Sequence, residues 1–154
     1  HTKWVQMSAG EIVSFQTFMT GEIFALLSTA SVLQHSVNSD GWDQEAFDQA
    51  VDEAISRPEA IAARLFGLRA GSLLNNLPAA TAKSRLSGLL IGAELAAAKP
   101  YWLGQSLAMI GPKSMGDGYA AALAAQHVPV TRTDTAQMTL AGLKAAYASW
   151  QEPL

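Results

Sequence analysis

Leu107-Ala108-Met109-Ile110, followed by Gly111-Pro112-Lys113-Ser114, is the stretch on which the fold turns. Four apolar residues stop at a glycine and a proline, the mark of a short strand ending in a turn. A helix is predicted from about Met115 to Gln126 and a second strand from Val128 to Arg132. Asp134 with Gln137 makes a capping-box-like start for a last helix over Thr135 to Trp150. Strand, helix, strand and helix with short links form a βαβα unit, whose strands should run parallel with a right-handed crossover.

Upstream the rhythm changes. Lys3 to Met7 and Ile12 to Phe18 are rich in β-branched and aromatic residues. Ser8-Ala9-Gly10 separates them, so the pair reads as a β-hairpin. Thr20-Gly21-Glu22 opens a helix, with the Thr20 hydroxyl expected to accept from a free backbone N–H and Glu22 at the positive end of the helix dipole. Ser36 to Trp42 is polar and is expected to be a surface loop.

Asp43 to Ser56 is amphipathic, with Phe47, Val51 and Ile55 on one stripe and acids opposite. Pro58 suits the first turn of a helix that runs to Asn75-Asn76. Pro78 begins another, which ends at Lys99 before Pro100. From Leu86 to Ala98 that helix is apolar nearly all round and should be buried. Gly88 and Gly92, one turn apart, leave space for a neighbouring backbone or a flat ligand.

Composition narrows the function classes. The 154 residues, 16.3 kDa, suit one ordinary domain, and 49% hydrophobic content supports a sizeable core. Charged residues are only 15%, which suggests a face buried against another domain or subunit. A net charge of −3 argues against a nucleic-acid partner, which needs clustered cations for phosphates. The absence of cysteine excludes disulfides, thiolate metal sites and a cysteine nucleophile. No signal peptide or membrane span is visible, so the chain reads as soluble and cytoplasmic. The start at His1, without Met, suggests a fragment.

No Walker A loop, HExxH, GxSxG or GxGxxG signature is complete. His1, His35 and His127 lack metal-ligand spacing, and His35 and His127 read as surface or cap residues. Two places could carry chemistry. Gly111 lets a backbone approach a ligand at the carboxyl end of a strand, and the next helix N-terminus offers N–H groups to anions. Thr2 and Lys3 together suit phosphate oxygens. An ordinary βα loop and an ordinary strand start are the structural alternatives. Glu94, the one charge in its apolar run, should pair with Arg64 or Arg85, or point outward. Asp43, Glu45, Asp48, Asp52 and Glu53 read as a solvated helix face. Ser87-Gly88 reads as a packing notch or a site.

Taken together, the segments His1 to Val5, Phe18 to Glu22, Arg85 to Glu94, Ile110-Gly111 with Tyr119 to Leu123, and Leu140 to Leu143 resemble the 2-keto-3-deoxygalactonokinase family. The resemblance runs in order over the whole chain but covers only the C-terminal half of the family pattern. It implies an α/β fold: one RNase H-like lobe of the actin and sugar-kinase type, with a β-hairpin, helices and a βαβα unit. Residues 1–154 would form the C-terminal nucleotide-binding lobe, with the N-terminal lobe as a missing partner and ATP and substrate held between the two.

The implied reaction is ATP-dependent phosphorylation of 2-dehydro-3-deoxy-D-galactonate to its 6-phosphate, with Mg²⁺ as cofactor. The isolated lobe would then be inactive. By the same resemblance Thr2 and Lys3 are phosphate contacts, following a family loop Pro-Gly-Thr-His that His1 enters partway. Gly111, Pro112 and Lys113, with Ser87, Gly88 and Ile91, match the adenosine side. Pro112 departs from the second glycine common in related kinases. Thr20 and Glu22 match a cleft-facing stretch and are candidate substrate contacts. The catalytic base is not identified and is expected in the absent half, and no residue is assigned as a metal ligand. A kinase of another sugar acid, or a non-catalytic nucleotide-binding or dimerisation module, are the alternatives, and the low charge leaves a homodimer open.

Overall fold

In the computed structural model, which describes residues 1–151, the chain divides into two compact units, residues 1–105 and 106 onward. The first begins with the expected hairpin. β1 (Thr2–Ser8) pairs antiparallel with β2 (Glu11–Phe18), and Ser8 faces Glu11 across a two-residue turn. Both turn residues, Ala9 (φ 51°) and Gly10 (φ 81°), are left-handed, as a turn matching the strand twist demands. Alternation along the strands gives the hairpin two faces. Thr2, Trp4, Ser14 and Phe18 are half-buried, whereas Lys3, Val5, Phe15 and Thr17 are exposed.

Helices complete this unit: α1 (Thr20–Ala30), α2 (Gln34–Val37), α3 (Gln44–Ser56), α4 (Ile61–Leu74), α5 (Ala79–Ala97) and the short α6 (Lys99–Trp102). Pro58 sits in a 3₁₀ turn leading into α4. Asn76, at φ 52°, takes the left-handed position where α4 ends, and Leu77 N–H returns to the Gly71 carbonyl at 3.2 Å.

The core lies between α3 and α5. Phe47, Ala50, Val51 and Ala54 from α3 and Leu86, Leu89 and Leu95 from α5 are fully buried. Gly88 and Gly92 are what bring the two helices so close. A β-carbon on Gly88 would stand 2.4 Å from the Phe47 carbonyl oxygen, and one on Gly92 would stand 2.6 Å from that of Val51. Of the two occupants that the glycine pair allows, the structure has the neighbouring backbone.

Three expectations are corrected. Ser36 and Val37 are buried in α2 and not in a surface loop, because Leu33 and Val37, four residues apart, insert against the core beneath α5. Thr20 is the first residue of α1 rather than its cap, and its hydroxyl donates to the Glu94 carboxylate. The acids of α3 are also less uniform than a solvated face. Asp43 caps the helix at the Ala46 N–H (3.0 Å) and accepts from the Thr81 hydroxyl (2.8 Å). Glu53 accepts from both Arg64 and Arg85.

The second unit follows the sequence-based order closely. It comprises β3 (Leu107–Ile110), α7 (Lys113–Ala125), β4 (Val130–Thr133) and α8 (Thr135–Gln151). β3 and β4 run parallel, Leu107 facing Val130 and Ile110 facing Thr133. Asp134 accepts from the Gln137 N–H at 2.9 Å, as the capping pattern predicts. His127 (φ 60°) terminates α7, a cap role consistent with its sequence reading. The fold is therefore mixed α/β, mostly helical with two small sheets. Among the described residues, no helix is long and apolar enough to cross a membrane.

Candidate functional site

The first unit gathers four of the candidate residues at the start of β1. Thr2 pairs with Phe18 in the hairpin register, so the beginning of β1 lies beside the end of β2, two residues before α1 opens. His1 Nε2 lies 3.1 Å from Glu22 Oε2, linking the strand start to the first turn of α1. Lys3 donates to Thr17 Oγ1 at 3.2 Å on the exposed face of the hairpin, where its ammonium remains open to solvent. Thr2, Lys3, Thr20 and Glu22 thus belong to one neighbourhood. Of these it exposes the Lys3 cation and the Glu22 carboxylate, while Thr2 is half-buried and the Thr20 hydroxyl is buried on Glu94.

Beneath that neighbourhood lies Glu94, 3% exposed. Its partners are neither Arg64 nor Arg85, as expected from sequence, because Glu53 holds both guanidinium groups on the α3 side. Instead Glu94 Oε1 accepts from the Trp4 indole N–H at 2.8 Å, and Oε2 accepts from the Thr20 hydroxyl. A lone acid in an apolar run signalled a partnered carboxylate. Its partners could not be read because they lie 90 and 74 residues away.

The adenosine-side residues divide between the units. On α5, Ser87 is half-buried, Gly88 packs on α3 and Ile91 is 7% exposed, so Ser87 keeps the most open surface of the three. In the second unit, Gly111 follows the last residue of β3 and Pro112 occupies the N-cap position of α7. A β-carbon on Gly111 would meet nothing within 4 Å, so neither packing nor backbone strain calls for glycine there. Lys113 opens α7, with its side chain outside the described residues.

Sequence reading missed Arg132, near the carboxyl end of β4. Its guanidinium donates to Asp117 at 2.6 Å and lies over the first turn of α7, where Gly116 leaves room for it. Elsewhere in the first unit an open groove of about 460 Å³ is lined by Gln49, Asp52, Glu53, Ser56, Arg57 and Arg64, none of them a candidate residue. Among the described residues there is no cluster of three His, Asp or Glu side chains suited to a metal ion.

Comparisons with known proteins converge. The model of the 2-keto-3-deoxy-galactonokinase family matches residues 1–146. A protein of Rhizobium meliloti described as a probable 2-dehydro-3-deoxygalactonokinase is 35% identical over 150 residues, covering 95% of this chain and 49% of the relative. The 2-dehydro-3-deoxygalactonokinase of Escherichia coli is 34% identical over 132 residues, covering 85% and 45%. A crystal structure from Sinorhizobium meliloti, assigned provisionally to the same kinase, superposes with a TM-score of 0.89 at 35% identity, over 99% of this chain and 52% of that one. The chain spans about half the length of the curated relatives it matches.

Proposed function

The chain belongs to the 2-keto-3-deoxy-galactonokinase family, and from that premise we propose that it is the C-terminal, nucleotide-binding lobe of a cytoplasmic sugar-acid kinase. The observation that carries the proposal is the family match, unbroken over residues 1–146. The fold we propose is one RNase H-like lobe, with ATP and the sugar acid held against an N-terminal lobe. The reaction is phosphorylation of 2-dehydro-3-deoxy-D-galactonate on its terminal hydroxyl.

The exposed apolar surface supports a second lobe. Val5 and Phe15 on the open hairpin face, and Leu140, Leu143, Tyr147 and Trp150 along α8, are all more than 45% exposed. Within each unit, apolar exposure of this kind is what a surface covered by a partner in the working protein would show.

In this proposal the Lys3 ammonium, on the exposed face of the hairpin, holds phosphate oxygens, and Thr2 precedes it at the strand end with its side chain half-buried on the other face. Phosphoryl transfer depends mainly on such positioning and charge stabilisation. The turn at Gly111, with Pro112 and the start of α7, receives the adenosine. Glu22, exposed on the first turn of α1, faces the sugar acid and accepts from its hydroxyls, whereas Thr20 is buried with its hydroxyl on Glu94. Mg²⁺ accompanies the ATP phosphates, a site that needs only one or two carboxylates from protein. Lobe closure then excludes water, so that the sugar hydroxyl attacks in its place.

The test is ADP release by the complete two-lobe protein with Mg-ATP and 2-keto-3-deoxygalactonate, run beside the gluconate epimer. Release favouring the galactonate-derived acid is the expected result. No ADP from a folded sample with either acid sinks the substrate assignment. ATP binding without ADP release on any acid would leave a nucleotide-binding module.

A further inference from the structure

Glu94 is an expensive residue to bury. From Leu86 to Ala98 helix α5 carries no other ionisable side chain, and the carboxylate is 3% exposed. Taking a carboxylate out of water costs several kcal/mol unless its oxygens are fully supplied with donors. Packing alone would be served better by a leucine, the residue type α5 uses at Leu86, Leu89 and Leu95. The distinguishing feature is where its donors come from. Trp4 is on β1 and Thr20 is the first residue of α1, so one carboxylate ties three elements together.

Both donors sit next to residues of the candidate site. Trp4 follows Lys3, and successive strand side chains point to opposite faces. Fixing the Trp4 indole against α5 therefore fixes the roll of β1 and directs Lys3 outward. Thr20 precedes Glu22 by two residues, and Glu22 is joined to His1 at the head of the same strand. The separation between the cation of Lys3 and the carboxylate of Glu22 depends on where Glu94 holds β1 relative to α1. We infer that Glu94 is a positioning residue that sets the spacing between the phosphate contact at Lys3 and the substrate contact at Glu22. This inference rests on the kinase function proposed above. Glu94 acts through Trp4 and Thr20 and touches neither ligand.

The substitutions that test it separate hydrogen-bonding geometry from mere stability. In the complete kinase, Glu94→Leu removes both acceptors, and Trp4→Phe removes one donor while keeping an aromatic ring in place. Both are expected to raise the KM for ATP or lower kcat by about 10- to 100-fold, the cost of misplacing reacting groups by about an ångström. The assay is run well below each variant's unfolding temperature. Glu94→Gln should restore most of the loss. Its amide oxygen still accepts from the indole, and its amide nitrogen can donate to the Thr20 hydroxyl, which accepts as readily as it donates.

If Glu94→Leu fails to fold, Trp4→Phe decides alone. Variants with lowered melting temperatures but wild-type KM and kcat would overturn the positioning role and leave the kinase reading intact. A folded wild-type protein that neither binds ATP nor releases ADP would overturn both.

Discussion

The carbonyl oxygen of Phe47 on α3 occupies the place where a side chain on Gly88 of α5 would begin, 2.4 Å from an ideal β-carbon. The contact is to backbone, so no rotamer change relieves it. Gly88→Ala gains up to about 1 kcal/mol in helix propensity. It also forces the two helices of the core apart, and overpacking of this kind typically costs about 1–3 kcal/mol. The expected result is net destabilisation in urea unfolding. Gly67→Ala, in the middle of α4 with nothing within 4 Å of the new carbon, should instead stabilise by about 0.5–1 kcal/mol. Opposite signs for the same substitution would locate the tight interface. A neutral Gly88→Ala would contradict it.

Asp43 gives the first unit an acid-sensitive cap. The Ala46 N–H, and then the Thr81 hydroxyl, hold its carboxyl below the usual aspartate range. A carboxyl whose folded value is depressed adds stability above its unfolded value, and that stability is lost as pH falls through the folded value. Asp43→Asn keeps a capping side chain but has no proton to take up. Melting temperatures of the two proteins from pH 7 down to pH 3 should therefore converge as the pH drops below about 4. Parallel curves over the whole range would show that the cap contributes no pH dependence.

Glu53 is the hub of a partly buried trio, with Arg85 Nη2 at 3.0 Å and Arg64 also bound to it. Each side chain is between 24% and 33% exposed, so water screens the pairs only in part. Glu53→Ala leaves two guanidinium groups without their shared carboxylate and should cost about 1–3 kcal/mol. Arg85→Ala should cost less, since Arg64 still satisfies Glu53. A double-mutant cycle on Glu53 and Arg85 should return a coupling of about 1 kcal/mol. A coupling indistinguishable from zero would demote the pair to a surface contact.

Local rules carried the sequence reading furthest in the second unit. The apolar run at Leu107, the punctuation at Gly111-Pro112 and the Asp134 cap each act over a few residues, and β3, α7, β4 and α8 appear in that order. The stripe on α3 and the glycine notch on α5 were legible for the same reason, although which element fills the notch was not. Legibility failed where a side chain answers to something distant. Ser36 is polar yet 3% exposed because Leu33 and Val37 carry its turn into the core. Thr20 looked like a cap because local sequence cannot reveal a carboxylate 74 residues ahead. Arg132 became notable only when the parallel pairing set it opposite Met109, beside the start of α7.

Gly111 offers a sharp separation of ligand binding from folding. The β-carbon of any residue placed there would meet no heavy atom within 4 Å, and the position has no left-handed backbone to strain. Gly111→Trp should therefore leave the melting temperature of the complete protein nearly unchanged. An indole in that space would stand in the turn between β3 and α7, where an open α/β arrangement receives its ligand. If adenosine sits there, the substitution raises the KM for ATP at least about tenfold, corresponding to roughly 1.4 kcal/mol of lost binding, while the KM for the sugar acid moves little. Gly111→Ala, adding one methyl group to the same space, should fall between wild type and tryptophan. A graded rise in ATP KM at constant stability assigns the turn to the nucleotide. Unchanged ATP kinetics in a folded Gly111→Trp protein would remove Gly111 from the site and move the adenosine contact away from this turn.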